Sequence, residues 1–158
     1  MHKISESSIE TILVRYEDSL SLQNDRNHIE LNYPDFYKIL IREDFEILTE
    51  EEIDTLLYLF QIVTISIQQE IQVLPKFDIQ KFDENEEKLW GNYQDKQRTL
   101  KKAFDDYFSS IDQEELLAVL EDTLTDDTEE DSIVISSVGK EVIMIVIVAV
   151  ILTYDALN

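Results

Sequence analysis

The chain has no cysteine, and its 158 residues include only two glycines, two prolines and two histidines. Without cysteine it can form no disulfide, no thiolate metal site and no catalytic thiol, which is typical of a protein in a reducing compartment such as the cytoplasm. The isolated Gly91 and Gly139 cannot form the glycine-rich loop whose backbone amides hold phosphate groups. All-β folds need many tight turns built from Gly, Pro and Asn, so this shortage favours long helices.

The scarcity of histidine excludes most familiar catalytic and metal-binding patterns. The chain contains only His2 and His28, so no histidine pair and no Glu-x-x-His motif with zinc or di-iron spacing is present. His28 ends the polar segment 23–28, which resembles a turn, and we expect it to be a surface imidazole. We therefore predict no catalytic residues, no metal ligands and no cofactor.

Positive charge is also scarce. The chain has 35 acidic residues against 13 basic ones, which gives a formal net charge of -22. Such a surface repels nucleic acids and anionic membranes, because phosphate binding depends on clustered Lys and Arg. We expect no direct nucleic-acid binding and no membrane association, and the charge favours a basic protein as the partner.

One long apolar run, at residues 142–152, invites comparison with a membrane span. Eleven helical residues at a rise of 1.5 Å each cover about 16 Å, well short of the ~30 Å hydrocarbon core of a bilayer. Glu141 and Asp155 flank the run closely. The run is therefore interpreted as a buried core helix.

Apolar residues recur at helical spacing along most of the chain, which predicts an all-α fold. The predicted helices cover about residues 5–22, 34–42, 50–73, 83–108, 112–124 and 137–157. Two of them, at 50–73 and 137–157, are apolar on nearly every side, as buried central helices are. The sequence thus predicts one acidic helical domain, residues 1–158, built as a single compact bundle of five or six helices. The two apolar helices need neighbours on most sides, either within a multi-helix core or at a homodimer interface.

Three local patterns refine this prediction. Thr49 with Glu52 three residues later matches a capping box that begins a helix, and Asp112 with Glu115 has the same spacing. Gly91 lies inside the predicted helix 83–108, where it costs about 1 kcal/mol relative to alanine. We expect the helix to bend at Gly91 or to pack closely against a neighbour there.

The acidic residues are unevenly distributed along the chain. After a basic group at residues 96–102, no Lys or Arg occurs until Lys140. The twelve acidic residues between them are predicted to bind a partner. They are Asp105, Asp106, Asp112, Glu114, Glu115, Glu121, Asp122, Asp126, Asp127, Glu129, Glu130 and Asp131.

Three functional hypotheses follow from this charge. The first is a non-enzymatic acidic interaction module that binds a basic protein by electrostatic steering and an apolar patch. The second is an inhibitor or immunity-type protein that mimics nucleic acid, which requires carboxylates at phosphate-like spacing on one face. The third is an enzyme that uses carboxylates and Mg²⁺, which requires at least three acids converging in one cleft.

The densest helical cluster of acids bears on the third hypothesis. It consists of Asp83, Glu84, Glu86 and Glu87, and Lys88 follows directly and offers charge neutralisation. The acidic loop 126–131 lacks the central glycine and the terminal glutamate of a calcium-binding EF-hand loop. Both stretches are interpreted as solvated surface.

Overall fold

A computed structural model describes residues 2–40, 42, 45–95, 99–125 and 134–156, and within these ranges it contains eight α-helices and no strand. The predicted all-α class is confirmed, whereas the predicted count of five or six helices is wrong. The helices are α1 Glu6–Arg15, α2 Ser19–Asn32, α3 Pro34–Leu40, α4 Glu50–Ile71, α5 Ile79–Asp95, α6 Leu100–Ser110, α7 Glu114–Thr125 and α8 Ser137–Asp155.

One additional helix arises because the predicted helix 5–22 is divided in two. Asp18 is the N-cap of α2, and its Oδ1 accepts a hydrogen bond from the Leu20 N–H at 3.3 Å. The polar segment 23–28, predicted as a turn, lies inside α2. Within α2 only Ile29 is buried, so this helix lacks the apolar periodicity by which sequence patterns reveal helices.

The second additional helix arises because the predicted helix 83–108 is also divided. Helix α5 begins earlier, at Ile79, and α6 has its own N-cap at Thr99, whose hydroxyl oxygen accepts from the Lys102 N–H at 3.3 Å. Gly91 lies within α5, and a Cβ at this position would meet nothing within 4 Å. Of the two alternatives predicted for Gly91, a bend or close packing, the close packing is therefore wrong.

The start of α7 also differs from the prediction. The helix begins at Glu114, so the N-cap position belongs to Gln113 and not to Asp112. Gln113 is buried, and its side chain accepts from the Ile4 N–H at 3.0 Å and donates to Asp155 Oδ1 at 3.1 Å. Contacts with distant parts of the chain, which a local pattern cannot show, therefore determine where α7 starts.

Helix α8 lies at the centre of the bundle and packs against α4, α5 and α7. Residues 143–151 are all fully buried, as predicted for a helix that is apolar on every side. The hydroxyls of Thr64 on α4 and Tyr154 on α8 lie 2.9 Å apart, and Asn85 on α5 donates to the Thr153 hydroxyl at 3.2 Å. A single chain thus encloses both apolar helices.

The full extent of α8 changes the comparison with a membrane span. Its 19 residues have a mean hydropathy of 2.0 in their most apolar window, and at 1.5 Å per residue they reach about 28 Å. By length and composition this helix could cross a bilayer, so the length argument made for residues 142–152 does not hold. Burial bears on the choice between a membrane span and a core helix. In the fold 72% of that window is buried, which is consistent with the core helix of a soluble protein.

Helices α4 and α8 run parallel, and both begin at the carboxylate of Glu52. The predicted capping box is confirmed: Glu52 Oε1 accepts from the Thr49 N–H at 3.0 Å, and Thr49 Oγ1 accepts from the Glu52 N–H at 3.1 Å. The second oxygen, Oε2, accepts from the N–H and the hydroxyl of Ser136, the N-cap of α8, at 3.0 and 2.8 Å. One carboxylate therefore satisfies donors at two helix N-termini and faces the positive end of both dipoles.

The environment of Glu52 stabilises its charged form. Only 1% of the residue is exposed, and burial alone would raise the pKa of its carboxyl. The hydrogen bonds from Thr49 and Ser136 outweigh that effect and lower the pKa below its usual value. Gly139 leaves room for this arrangement, because a Cβ there would overlap Glu52 Oε2.

The two glycines of the chain provide a matched pair of substitutions. We expect Gly139→Ala to lower the free energy of unfolding by about 1–3 kcal/mol, because the added methyl group must displace the Glu52 carboxylate. Gly91→Ala should raise it by about 0.8–1 kcal/mol, because alanine favours a helix where space is open. Urea unfolding followed by circular dichroism measures both. Equal effects of the two substitutions would contradict the role given to Gly139.

Acidification tests the Glu52 carboxylate separately. Because its pKa is lowered in the fold, its contribution to stability is present above the unfolded-state pKa and is lost as pH falls through the folded-state pKa. We expect Glu52→Gln to cost about 1–3 kcal/mol at pH 7 and progressively less, relative to wild type, as the pH falls below 4.5. Glu10→Gln, an exposed residue with the same charge change, is the control, and a cost for Glu52→Gln that does not vary with pH would refute the assignment.

Candidate functional site

The predicted partner-binding acids lie on α6, on α7 or in the connection between them wherever the structure describes them. Seven of the twelve are described, and Asp105, Asp106, Asp112, Glu114 and Asp122 are exposed, while Glu115 and Glu121 are half-buried. The other five, Asp126, Asp127, Glu129, Glu130 and Asp131, lie outside the described residues. We call the seven described residues the α6–α7 acidic surface.

Each of the two helices buries one side in the core, and its exposed acids lie on the opposite side. Helix α6 buries Ala103, Phe104 and Tyr107 and leaves Asp105 exposed on its outer side. Helix α7 buries four leucines, at positions 116, 117, 120 and 124, and carries Asp122 on its outer side. Since α6 packs directly on α7, the exposed acids lie on two neighbouring helices.

A lysine from the N-terminal segment supplies part of the missing positive charge. Lys3 forms an exposed ion pair with Glu114. This hydrogen bond raises the pKa of Lys3, and the nearby charges of Asp112 and Glu115 raise it further. The helices themselves contribute only Lys101 and Lys102, so residues 100–125 carry seven acids against two lysines and remain strongly negative.

A cleft between α5 and the end of α6 lies beside this surface, with a volume of about 520 Å³. Leu89 and Tyr93 line it from α5, and Leu152 lines it from α8. The apolar lining is completed by Tyr107 and Ile111. The polar lining consists of Asn92, Asp106, Ser109 and Ser110. We call this feature the α5–α6 cleft, and Asp106 belongs both to it and to the α6–α7 acidic surface.

Tyr93 is held in the cleft wall as a neutral phenol. Its hydroxyl donates to Glu141 Oε1 at 2.9 Å. Burial raises the pKa of Tyr93 to about 12, and the adjacent carboxylate of Glu141 contributes to the same shift. Trp90, the only tryptophan in the chain, packs edge-on against the Tyr93 ring with the ring centroids 6.3 Å apart.

Three of the four acids in the α5 cluster form ion pairs. Arg42 Nη2 contacts both oxygens of Glu86, at 2.9 and 3.1 Å, and Arg42 Nη1 lies 3.5 Å from Asp83. Lys81 lies 3.8 Å from Glu84. These ion pairs use cations other than the adjacent lysine at position 88, to which the sequence had pointed.

The carboxylate enzyme hypothesis needs several acids converging in one place. Within the part of the chain that the structure describes, no group of three or more His, Asp or Glu side chains is placed to hold a metal ion. His28 is exposed, as predicted, and its Nδ1 lies 3.4 Å from the Asn32 side-chain nitrogen. The described residues therefore do not contain the group of three converging acids that this hypothesis requires.

The sequence indicated the acids but not the cleft beside them. Tyr93 and Tyr107 are both more than nine-tenths buried, and their sequence pattern does not distinguish a cleft wall from a core. The cleft exists because α5, α6 and α8 meet around these side chains, and α6 is one of the helices that the sequence pattern did not separate. A break at Thr99, a favoured N-cap residue type, was the one local feature that could have revealed the arrangement.

Comparisons with known proteins do not assign this chain to a family. No protein-family model matches the chain, and neither curated proteins nor solved structures yield a match. The function is therefore inferred from the acidic surface and the cleft.

The tyrosines allow the packing around the cleft and core to be tested. Burial raises the pKa of Tyr33 and of Tyr93 to about 12, and it also raises the pKa of the fully buried Tyr154 well above its usual value. These neutral phenols contribute stability that is present below pH 10 and is lost as the pH rises toward 12. We expect the absorbance at 295 nm to show incomplete ionisation of the seven tyrosines at pH 11, with the remainder ionising as the helical signal is lost.

Tyr93→Phe is the control for that titration, because it removes one late-ionising group and leaves Tyr33 and Tyr154 in place. It should reduce the late absorbance step without abolishing it. Ionisation of every tyrosine in a single step near pH 10, with the helices intact, would contradict the packing described.

Proposed function

We propose that this chain is a non-enzymatic acidic protein-interaction module that binds a basic protein partner. One observation supports the proposal most directly: Asp106 of the α6–α7 acidic surface also lines the α5–α6 cleft, together with apolar side chains such as Leu89 and Ile111. Charge and apolar area are thus adjacent, and protein interfaces use them for different purposes. Charge accelerates the encounter and excludes wrong partners, whereas buried apolar and aromatic groups provide affinity.

The charge of α6 and α7 supports the choice of this face. Residues 100–125 carry seven acids against two lysines, and Lys3 of the N-terminal segment forms an ion pair with one of the seven acids, Glu114. A basic partner would supply further positive charge to this surface.

The partner is expected to present Lys or Arg side chains on a surface or an extended segment. Nucleic-acid-binding proteins are one class with that property. The absence of cysteine suits a reducing compartment such as the cytoplasm, and the proposal places the interaction there.

Neutralising the exposed acids tests the proposal. A triple variant, Asp105→Asn, Asp112→Asn and Asp122→Asn, removes three charges from the α6–α7 acidic surface. We expect it to weaken association with a basic partner by about tenfold, because each exposed charge contributes a fraction of a kcal/mol. The measurement is capture from native lysate at about 50 mM and about 500 mM salt, across which the Debye length falls severalfold, followed by titration calorimetry with the captured protein.

The matched control removes the same charge from helices other than α6 and α7. Glu10→Gln, Glu17→Gln and Glu30→Gln alter three exposed acids of α1, α2 and their connection. This variant should bind as the wild type does. Binding that is indifferent to salt, or equally weak in the two triple variants, would count against the proposed function.

A further inference from the structure

We propose that residues 2–5, which precede α1, act as an intramolecular competitor of the basic partner by holding Lys3 against Glu114. The inference rests on the proposed function, since it concerns the same α6–α7 acidic surface. A partner that pairs with Glu114 must first displace the Lys3 ammonium group. Exchange of one cation for another gives little net gain at this position, so partners that present several cations are favoured.

A single side-chain amide holds the main chain of the segment. Gln113 Oε1 accepts from the Ile4 N–H, and Gln113 Nε2 donates to the His2 carbonyl oxygen, each at 3.0 Å. These hydrogen bonds lie on either side of Lys3, and Gln113 directly precedes Glu114, so the lysine is placed beside its carboxylate partner. Only 1% of Gln113 is exposed, and breaking the hydrogen bonds of a buried group is costly. The main chain around Lys3 is therefore fixed.

The residues after Lys3 anchor the segment to the rest of the fold. Ile4 is 1% exposed and belongs to the hydrophobic core. Ser5 donates from its N–H and from its hydroxyl to Glu70 Oε1, near the end of α4, at 3.2 and 2.8 Å. Detaching the whole segment would expose Ile4 to water, whereas the side chain of Lys3 is 43% exposed and can turn away alone. The partner thus has to replace one ammonium group and not the segment.

The position of Lys3 lets one cation act on several acids. Lys3 forms its ion pair with Glu114, and the negative charges of Asp112 and Glu115 act on the same ammonium group. The anchored main chain keeps this lysine at a high effective concentration beside three of the seven acids. Because the side chain of Glu114 is itself 57% exposed, a cation of the partner can reach the same carboxylate. Lys3 and the partner therefore compete for one position.

Hexalysine, a peptide of lysine residues alone, tests the competition on the full chain. Titration calorimetry at about 50 mM salt, where screening is weak, measures its binding. We expect Lys3→Gln to tighten that binding by about threefold, because the exposed ion pair that the peptide must otherwise break is a weak one. Lys81→Gln is the matched control, since its side chain is 41% exposed against 43% for Lys3 and pairs with Glu84 on α5. The control changes the net charge equally, and we expect a clearly smaller gain from it.

The carboxylate of Glu114 provides the second half of a double-mutant cycle. In a Glu114→Gln background, Lys3→Gln should tighten binding no more than Lys81→Gln does, because the competing ion pair is already absent. Each of these substitutions alters an exposed side chain, and circular dichroism checks that the helices remain folded. Equal gains from the two lysine substitutions, a Lys3→Gln gain that persists in the Glu114→Gln background, or undetectable binding of hexalysine would overturn the inference.

The two triple variants separate a failure of this inference from a failure of the proposed function. If the triple variant of the α6–α7 acidic surface binds hexalysine more weakly than the matched triple control, while the two lysine substitutions give equal gains, the competitor role is overturned and the proposed function stands. If the two triple variants bind hexalysine equally, while Lys3→Gln alone gives a gain that depends on Glu114, the competition at Glu114 stands and the proposed function is contradicted.

Discussion

Two parallel apolar helices form the centre of this protein, and the carboxylate of Glu52 joins their first turns. Parallel packing brings the positive ends of two helix dipoles together, along with backbone N–H groups that have no partner inside their own helices. Glu52 supplies a negative charge and acceptor atoms to both ends, with each of its hydrogen bonds between 2.8 and 3.0 Å. The remaining helices pack around the pair whose relative position this contact sets.

The same pairing of a carboxylate with a helix start recurs elsewhere in the fold. Glu70 Oε1 accepts from the backbone and the hydroxyl of Ser5, the N-cap of α1, and from the Ser8 hydroxyl, at 3.2, 2.8 and 2.6 Å. The hydrogen bonds from Ser8 and Ser5 lower the pKa of Glu70 below its usual value. Asp78 accepts from the Lys81 N–H in the first turn of α5 at 3.1 Å. Part of the acidic excess therefore serves the fold, because helix N-termini act as counter-charges where lysine and arginine are scarce.

The sequence predicted those features that depend on local chemistry. The Thr49–Glu52 capping box and the burial of residues 143–151 follow from residue type and spacing alone, and both are confirmed. The break between α1 and α2 was missed because α2 buries one residue, Ile29, and so carries little periodicity. The start of α7 was misplaced because Gln113 is held by contacts more than a hundred residues away in sequence. The α5–α6 cleft depends on three helices meeting, which no local pattern encodes.

The central position of α8 has a consequence for how the molecule opens. Helices α4, α5 and α7 all pack on α8. If any one of them detached, part of the fully buried apolar surface of α8 would be exposed to water. Polar contacts anchor it at both ends, to Glu52 at the first turn and to Thr64 and Asn85 at the last. We therefore expect partial unfolding to involve outer helices such as α2, and the backbone amides of α8 to exchange with solvent deuterium only when the whole cooperative unit unfolds.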